Sequence, residues 1–376
     1  MSNTLDLSTA EAVSRYLEGS ESFASHLVTP LSGGFCNFTY RIHLRKPYEN
    51  RPTLVLKYTS EYIASSATKI PLPTVRQVFE AEGLKLAMKL QPADSIVSPP
   101  QVHYFDEVSH VIIMEDCGED SITLKQLMIN ETLPRTLADE IGAALGEFLG
   151  RIHDGNKSPN FDLGLLKDYQ LGKAISGSLT YGCLISTITG KDNLSALSDP
   201  VLPIPQEKLD IISDLAPTKI DAINNASEIF TQGDFWPGNI MVSLDRDAAI
   251  PRLKRMYILD WEVAKAGLPG MDVGQMCAEL YLLQRCYAHS AEPAAWVLKS
   301  FLEVYRRRCA VDVTTAQTAI VHVGAHLVAW TPRIAWGNKE KTRELVEEGI
   351  ELLVAGSKSD EAWLGTSLIR PLLLVD

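Results

Sequence analysis

The first third of the chain alternates apolar and polar residues, which is the period-two pattern of half-buried β-strands. Between Asn37 and Leu44 the apolar side chains fall on every second position, and this predicts a strand with one buried face. Three further short apolar runs are bounded by polar turns and predict strands of their own. The predicted strands cover residues 37–44, 54–58, 102–105 and 111–114.

Helical spacing occurs once in this region and then dominates the remainder. Residues 74–90 predict a helix that begins at Thr74 as N-cap, with Gln77 three residues later. A longer helix is predicted after Thr136, again as N-cap with Asp139 three residues on. Its apolar positions are 141, 144, 145, 148, 149 and 152. The segment 158–205 is rich in Gly, Ser, Thr and Pro, and we expect loops with short helices there.

The change of pattern after residue 114 predicts two lobes. We expect an α+β chain with a β-rich N-lobe over residues 1–115 and a mainly helical C-lobe over residues 116–376. The chain shows no internal repeat and no low-complexity tract.

Composition and charge narrow the classes of function. The 376 residues are 45% apolar and 22% charged, as in a globular protein with a sizeable core. The net charge of -12 argues against general nucleic-acid binding and slightly favours a cationic partner. The six cysteines are scattered without a CxxC pair, so we expect reduced thiols and a cytoplasmic protein. Neither a signal peptide nor a membrane span is expected from the apolar pattern.

Two polar segments, each next to an apolar run, provide oxygen ligands for one metal site. Asp234 and Asn239 lie five residues apart in a turn-rich loop before residues 240–242, and a second apolar run ends at Asp260, with Glu262 two residues on. If the two runs pair as an antiparallel hairpin, Asn239 lies beside Asp260. Hard oxygen ligands of this number suit Mg²⁺. A turn explains any one of these residues alone, but it does not explain the ordered set.

A glycine pair precedes the first strand, and a lysine lies within the second. Gly33 and Gly34 allow close approach of the backbone and offer amide groups to a phosphate, although a Gly-Gly pair is more often an ordinary turn. Lys57 is either a solvated edge residue or a contact to the α- and β-phosphates of ATP. In the second case Glu80 or Glu82 on the following helix holds its ammonium.

These elements follow one another in the order found in protein kinases, from residue 32 to residue 272. The stretch GDFWPGNIMV resembles the GD-x4-N loop of the aminoglycoside phosphotransferase, choline kinase and methylthioribose kinase group. The stretch YILDWEVAKAGLPGMD resembles the second metal motif of that group. The resemblance covers nearly the whole chain. It implies a bilobal protein-kinase-like fold and ATP-dependent transfer of the γ-phosphate to a hydroxyl of a small metabolite.

The resemblance also assigns roles to matching positions. It implies that Asp234 orients the acceptor hydroxyl and accepts its proton. It favours Glu80 over Glu82, because VFEAEGLKL aligns with the corresponding helix of a member of the group. It implies that Mg²⁺ is held by Asn239, Asp260 and Glu262, and that ATP is bound by Gly33, Gly34, Asn37, Lys57 and Glu80, with Glu115 and Cys117 at the hinge beside adenine.

Two local features modify this interpretation. Many members of the group have His before the Gly-Asp pair, whereas this chain has Gln232. The roles of Asp234 and its partners do not need that His. Only eleven residues separate Asp260 from Asp272, which is too short for the activation segment that docks a peptide. We therefore expect a small acceptor, with Asp272 bracing the catalytic loop.

The acceptor site has one candidate region and two interpretations. His326, Trp330 and Arg333 are spaced by four and three residues, and Trp336 follows Pro332. Trp330, Arg333 and Trp336 either line an acceptor pocket, where aromatic rings stack on a ring or cage an amine, or fill the core. Hydroxyindole amines, methylthioribose-like sugars, aminoglycosides and choline-like alcohols all stay open as acceptors.

A function from another class stays open as well. The chain could be a catalytically silent kinase-like scaffold or sensor that binds a nucleotide. The intact set of Lys57, Asp234, Asn239 and Asp260 argues against it.

Overall fold

The protein is described by a computed structural model that covers residues 6–32, 34–158, 161–247 and 251–373. Gly33 therefore lies outside the described residues. Within these ranges, no helix combines the length and the apolar character needed to cross a membrane.

The N-terminal region is a five-stranded antiparallel sheet with the strand order β1-β2-β3-β6-β5. One face of this sheet is buried because Tyr40, Ile42 and Leu44 point to the same side of β2. The third strand is central and not an edge, which buries Lys57. The strands of the sheet are β1 (Ser25–Pro30), β2 (Phe38–Tyr48), β3 (Arg51–Tyr58), β5 (Val102–Asp106) and β6 (Val111–Glu115), with β4 (Val97–Ser98) just before β5.

A second sheet has the order β4-β10-β9-β7 and carries the predicted hairpin. In this hairpin β9 pairs antiparallel with β10, and Ile240 lies opposite Ile258. The hairpin predicted from the two apolar runs is therefore confirmed. A third, two-stranded pairing joins β8 to β11, with Thr231 opposite Lys265. The strands are β7 (Ile122–Thr123), β8 (Ile229–Thr231), β9 (Ile240–Asp245), β10 (Arg252–Ile258) and β11 (Lys265–Gly267).

The rest of the chain is mainly helical. The predicted mixture of loops and short helices around residues 158–205 is confirmed by three short helices, Gln170–Gly177, Leu184–Ile188 and Ser195–Ser198. The helices are α1 (Ala10–Leu17), α2 (Arg76–Lys89), α3 (Leu124–Asn130), α4 (Arg135–His153), α5 (Gln170–Gly177), α6 (Leu184–Ile188), α7 (Ser195–Ser198), α8 (Gln206–Asn225), α9 (Pro269–Cys286), α10 (Ala291–Arg308), α11 (Val313–Trp330), α12 (Lys339–Ser357) and α13 (Glu361–Leu364).

Both predicted helix caps are wrong. The helix α2 begins at Arg76, and its cap residue makes no side-chain hydrogen bond. The Gln77 side chain instead donates to the carbonyl oxygens of Lys57 and His110, so it fixes α2 to the central sheet. The helix α4 begins at Arg135 after Pro134, one residue before the predicted cap. Buried tertiary contacts and proline outcompete the local capping signals here.

The close approach of α4 and α10 depends on glycines spaced by four residues on α4. A Cβ atom on Gly146 would fall against the Phe301 carbonyl oxygen and 2.8 Å from the Tyr305 amide nitrogen. The helix α4 also carries His153, whose ring bonds to Asp272 beside the catalytic loop. The packing of α4 on α10 therefore helps to fix the position of His153 and, through it, of Asp272.

We predict that Gly146→Ala lowers the free energy of unfolding by about 2 kcal/mol, because the added methyl group forces the α4 and α10 backbones apart. Urea denaturation followed by circular dichroism measures the change. Gly19→Ala is the control, since an added Cβ there meets no atom within 4 Å. Unchanged or higher stability of Gly146→Ala would show that this contact is not tightly packed.

Candidate active site

The loop between β8 and β9 holds Asp234 and Asn239 in direct contact. The Asn239 amide nitrogen donates to the Asp234 carboxylate at 2.7 Å and to the Asp234 carbonyl at 3.0 Å. The hairpin register brings the next strand alongside, because the Leu259 amide donates to the Asn239 carbonyl at 2.8 Å. Asp260 follows directly, so the structure places Asn239 and Asp260 together as the sequence predicts.

Three side-chain donors orient the Asp234 carboxylate. Its Oδ1 accepts from the Gln275 amide at 2.6 Å, and its Oδ2 accepts from Asn239 and from the Trp236 indole at 3.2 Å. Burial raises the pKa of Asp234 to about 6, and the Asp260 carboxylate adds to this effect. The raised pKa makes this carboxylate a stronger proton acceptor than an ordinary Asp side chain.

Asp272 at the start of α9 braces the catalytic loop. Its carboxylate accepts from the backbone amides of Gln232 and Gly233, each at 2.8 Å, and lies 3.1 Å from His153 Nε2. Gly233 has a φ of +88°, a conformation that favours glycine. The bracing expected for Asp272 is thus visible as two hydrogen bonds to the loop backbone.

Gln232, which stands where many relatives have His, is a clamp between the loop and β10. Its amide nitrogen donates to the carbonyls of Leu259 and Asp260 at 3.0 and 2.8 Å, and its Oε1 accepts from the Asp234 amide at 2.7 Å. Gln232 therefore joins the loop to the segment that follows β10 and contains Asp260.

The buried ammonium of Lys57 links the N-terminal sheet to α2 and to the segment after β10. It lies 2.5 Å from Glu80 Oε1 on α2 and 2.7 Å from Asp260 Oδ1 after β10. Burial alone would lower the pKa of Lys57, but Asp260 and Glu80 together hold it above the ordinary value. Glu80 rather than Glu82 is the buried partner, since Glu82 pairs with the exposed Lys85.

Glu262 lies close to this pair but has partners of its own. Its Oε2 accepts from the Asn37 amide at 2.8 Å and from Arg76 Nε at 3.2 Å. Carboxylate oxygens of Glu80, Asp260 and Glu262 lie within 4.8 Å of one another. Because Asn239 uses its amide nitrogen on Asp234, its Oδ1 is the atom left for a ligand. The oxygen donors fit a hard cation such as Mg²⁺.

The segment that follows Gly33, from Gly34 to Asn37, is held by hydrogen bonds of Asn37 and Arg76. Asn37 Oδ1 accepts from Thr59 at 2.9 Å and from Arg76 at 3.1 Å, so its side chain is occupied by protein partners. Arg76 is almost fully buried and also donates to the Cys36 carbonyl. Gly34 lies in this segment, where a Cβ atom would meet the Asn37 carbonyl at 3.1 Å.

The predicted hinge lies where β6 ends. Glu115 accepts from the Tyr257 hydroxyl on β10 at 3.0 Å. Asp116 forms a bidentate pair with Arg41 at 2.6 and 2.9 Å. The Cys117 carbonyl accepts from the Ser121 hydroxyl. The segment is thus bonded to β2 of the five-stranded sheet and to β10 of the four-stranded sheet.

The proposed acceptor residues have different partners, although the rings of His326 and Trp330 are neighbours with centroids 6.4 Å apart. His326 is buried and bonds Glu279 at 3.0 Å. Trp330 packs on an apolar cluster of the helical region. Arg333 pairs with Asp192. Trp336 is buried and lies under the ammonium of Lys125, 3.9 Å from the ring centroid.

Several residues near the loop were not found from the sequence. Gln275 and Glu279 lie three and seven residues after Asp272, on the same face of α9. Helical spacing from Asp272 could therefore have predicted that Gln275 and Glu279 face the site. Arg76 and Lys265 carry no comparable signal.

Lys265 is a buried cation next to the catalytic loop. Its ammonium donates to Ser176 Oγ at 2.8 Å and to the Val263 carbonyl at 2.9 Å, and it lies 2.7 Å from the position of a Cβ on Gly233. Burial lowers the pKa of Lys265 to about 8, although Asp272 and Asp234 act in the opposite direction. Its hydrogen-bond partners among the described residues are neutral.

Comparison with known proteins gives a consistent family. The sequence model described as "Phosphotransferase enzyme family" matches residues 28–309. A 4-hydroxytryptamine kinase of Psilocybe cyanescens is 29% identical and covers 93% of this chain and 93% of its own length. The 4-hydroxytryptamine kinase of Psilocybe cubensis is 27% identical over 86% of this chain and 85% of its own. The resemblance drawn from the motifs is confirmed.

A solved structure agrees on the fold. An amicoumacin kinase in complex with AMP-PNP, Ca²⁺ and Ami superposes with a TM-score of 0.53 at 11% identity, covering 92% of both chains. The protein-kinase-like α+β fold, with an antiparallel N-terminal sheet and a helical remainder, is therefore confirmed.

We predict that Asp272→Ala lowers kcat by about a hundredfold while ATP binding stays within a few fold, because two loop amides lose their acceptor and Asp234 shifts. Steady-state kinetics and ATP titration separate the two effects. Asp272→Asn keeps one acceptor oxygen and should recover part of the loss. Equal kcat in all three proteins would contradict the bracing role.

We predict that Lys265→Met stabilises the protein at pH 7 by on the order of 2–3 kcal/mol, since the native state then no longer buries an ammonium. The wild type binds fewer protons folded than unfolded between about pH 8 and 10.4, so its stability rises with pH in that window. The advantage of the variant should therefore shrink towards pH 10.

Urea denaturation at pH 7 and pH 10 tests this prediction, with Lys299→Met on the exposed side of α10 as the control. A wild type that is more stable than the Lys265 variant at pH 7 would contradict it.

Proposed function

The chain belongs to the phosphotransferase enzyme family and is an ATP-dependent small-molecule kinase, and from that premise we propose that it transfers the γ-phosphate of ATP to a hydroxyl of a small metabolite. One observation carries the proposal. The Asp234 carboxylate is oriented by three donors, one of them Asn239, whose carbonyl accepts from the Leu259 amide next to Asp260, and Asp260 in turn bonds Lys57 of the Lys57–Glu80 pair.

We place ATP between an N-lobe of residues 1–115 and a C-lobe of residues 116–376. Lys57 would contact the phosphates, and its ammonium is already fixed by Glu80. The glycine-rich turn would lie over the phosphates, and the backbone at Glu115 and Cys117 would meet adenine. Asn239, Asp260 and Glu262 would hold Mg²⁺, which neutralises negative charge on the phosphates when bound.

Asp234 would act as the base. Its carboxylate is held in place by hydrogen bonds from Gln275 and Asn239. It would orient the acceptor hydroxyl and take its proton as the new oxygen–phosphorus bond forms and ADP leaves. Positioning by these contacts supplies much of the acceleration, since little reorganisation is needed.

The geometry supports a small acceptor. The short segment after Asp260 forms β11, which pairs with β8 and leads directly into α9. That leaves no long segment on which a peptide could dock. The two Psilocybe relatives make 4-hydroxytryptamine the first acceptor to test. Methylthioribose, choline, homoserine and kanamycin sample the other classes.

We predict that Asp234→Asn lowers turnover by about a thousandfold or more, because the amide cannot accept the hydroxyl proton. ATP should still bind within about twofold, as Lys57 and Asp260 are untouched. Transfer of radiolabelled phosphate from Mg-ATP across the five acceptors measures turnover, and ATP titration measures binding.

Normal turnover in this variant would overturn the assignment. ATP binding by the wild type, without transfer to any acceptor and without ATP hydrolysis, would instead favour a silent nucleotide-binding scaffold.

A further inference from the structure

The ammonium of Lys125 lies in a box built from two indole rings and a buried carboxylate. Lys125 is on α3, just after the hinge. Its Nζ lies 3.9 Å from the ring centroid of Trp336, 5.0 Å from that of Trp236 and 3.1 Å from Glu279 Oε2. Aromatic faces and a carboxylate are the groups that bind ammonium ions. We call these four residues the Lys125 box.

The Lys125 box adjoins the catalytic base. Trp236 is two residues after Asp234 and donates its indole N–H to the Asp234 carboxylate. Glu279 is one helical turn after Gln275, which donates to the other oxygen of the same carboxylate. Hence a cation in the box lies beside the place where the acceptor hydroxyl must bind.

The walls of the box have their own supports. Glu279 also bonds His326 at 3.0 Å, and Trp336 packs edge-on against Tyr287 with ring centroids 6.3 Å apart. Burial would raise the pKa of Glu279, but His326 and Lys125 hold it below the ordinary value. The carboxylate is therefore charged. A negative charge buried between two indole rings is stable only with a cation beside it.

Lys125 is held less firmly than the walls. Among the described residues, its single hydrogen bond is to Glu279, although an ammonium has three N–H donors. Its side chain keeps 18% exposure, whereas that of Glu279 keeps 2%. The long flexible stem allows the ammonium to leave while the walls stay in place.

We propose that the Lys125 box binds the ammonium group of the phosphate acceptor, and that Lys125 occupies the box until the acceptor displaces it. This inference rests on the proposed function and deepens it, because it names the acceptor as a hydroxyl compound that carries an amine. Lys125 is then a tethered competitor that sets the affinity for amines.

The direction in which amine affinity changes when Lys125 is removed separates this role from a structural one. Removing Lys125 leaves Glu279 Oε2 without its cation while His326 still bonds Oε1, so an external ammonium gains a buried carboxylate oxygen to bind. A structural lysine would instead leave amine binding equal or weaker when removed.

Isothermal titration with 2-phenylethylammonium tests the proposal on Lys125→Gln, with 3-phenylpropan-1-ol as a neutral probe of similar shape. We expect Lys125→Gln to bind the ammonium about tenfold more tightly than the wild type, as removal of an intramolecular competitor implies. Binding of the neutral probe should not change. Lys85→Gln is the matched control, since Lys85 also pairs with a carboxylate and lies over a ring, but on α2.

Glu279→Gln and Trp336→Leu locate the gain. In the Lys125→Gln background, Glu279→Gln should abolish the tighter binding, and Trp336→Leu should weaken ammonium binding at least tenfold. Thermal melting by circular dichroism verifies that each variant is folded. Equal, weaker or absent ammonium binding in a folded Lys125→Gln overturns the proposal.

The phosphate-transfer assay distinguishes this outcome from failure of the proposed function. Transfer by the wild type together with no effect of Lys125→Gln on amine binding refutes the box alone. Tighter amine binding by Lys125→Gln, together with no transfer by the wild type to any of the five acceptors, retains a cation site and contradicts its use for the phosphate acceptor.

Discussion

The arrangement of the active site depends on a buried cation that needs carboxylates from two parts of the chain. Lys57 lies on the central strand of the N-terminal sheet, where water cannot solvate it. Its charge is stable only because Glu80 and Asp260 lie within hydrogen-bond distance. This requirement fixes α2 against the sheet and the β9–β10 hairpin beneath it. Loss of one partner would leave an uncompensated buried charge.

Arg76 is a second buried cation that depends on a carboxylate from a distant part of the chain. Its guanidinium pairs with Glu262 and bonds to the glycine-rich turn through Asn37 and Cys36. The turn expected to lie over the phosphates and the motif expected to hold the metal are thus connected through one buried side chain. A movement of either one must be accommodated by the other.

One face of α9 organises the acceptor side. Asp272 holds the loop backbone, Gln275 orients Asp234, and Glu279 forms the acidic wall of the Lys125 box. The three residues follow helical spacing, so a single rigid helix sets the position of the base and of the cation site relative to each other. Placement on a packed helix gives the precision that a loop alone would lack.

The sequence by itself determined six of the strands, the β9–β10 hairpin, and the meeting of Asn239 with Asp260 at its base. Period two and antiparallel pairing bring Asn239 to Asp260 through interactions between near neighbours in the chain. The sequence did not determine where α2 and α4 begin. The local signals at Thr74 and Thr136 were overridden by the buried contacts of Gln77 and by Pro134. Only the tertiary structure decided that Lys57 also pairs with Asp260, and it alone decided the partners of Arg76 and Lys125. Their charges are compensated by residues far away in the chain, and local pattern carries no information on which distant carboxylate or indole will be near.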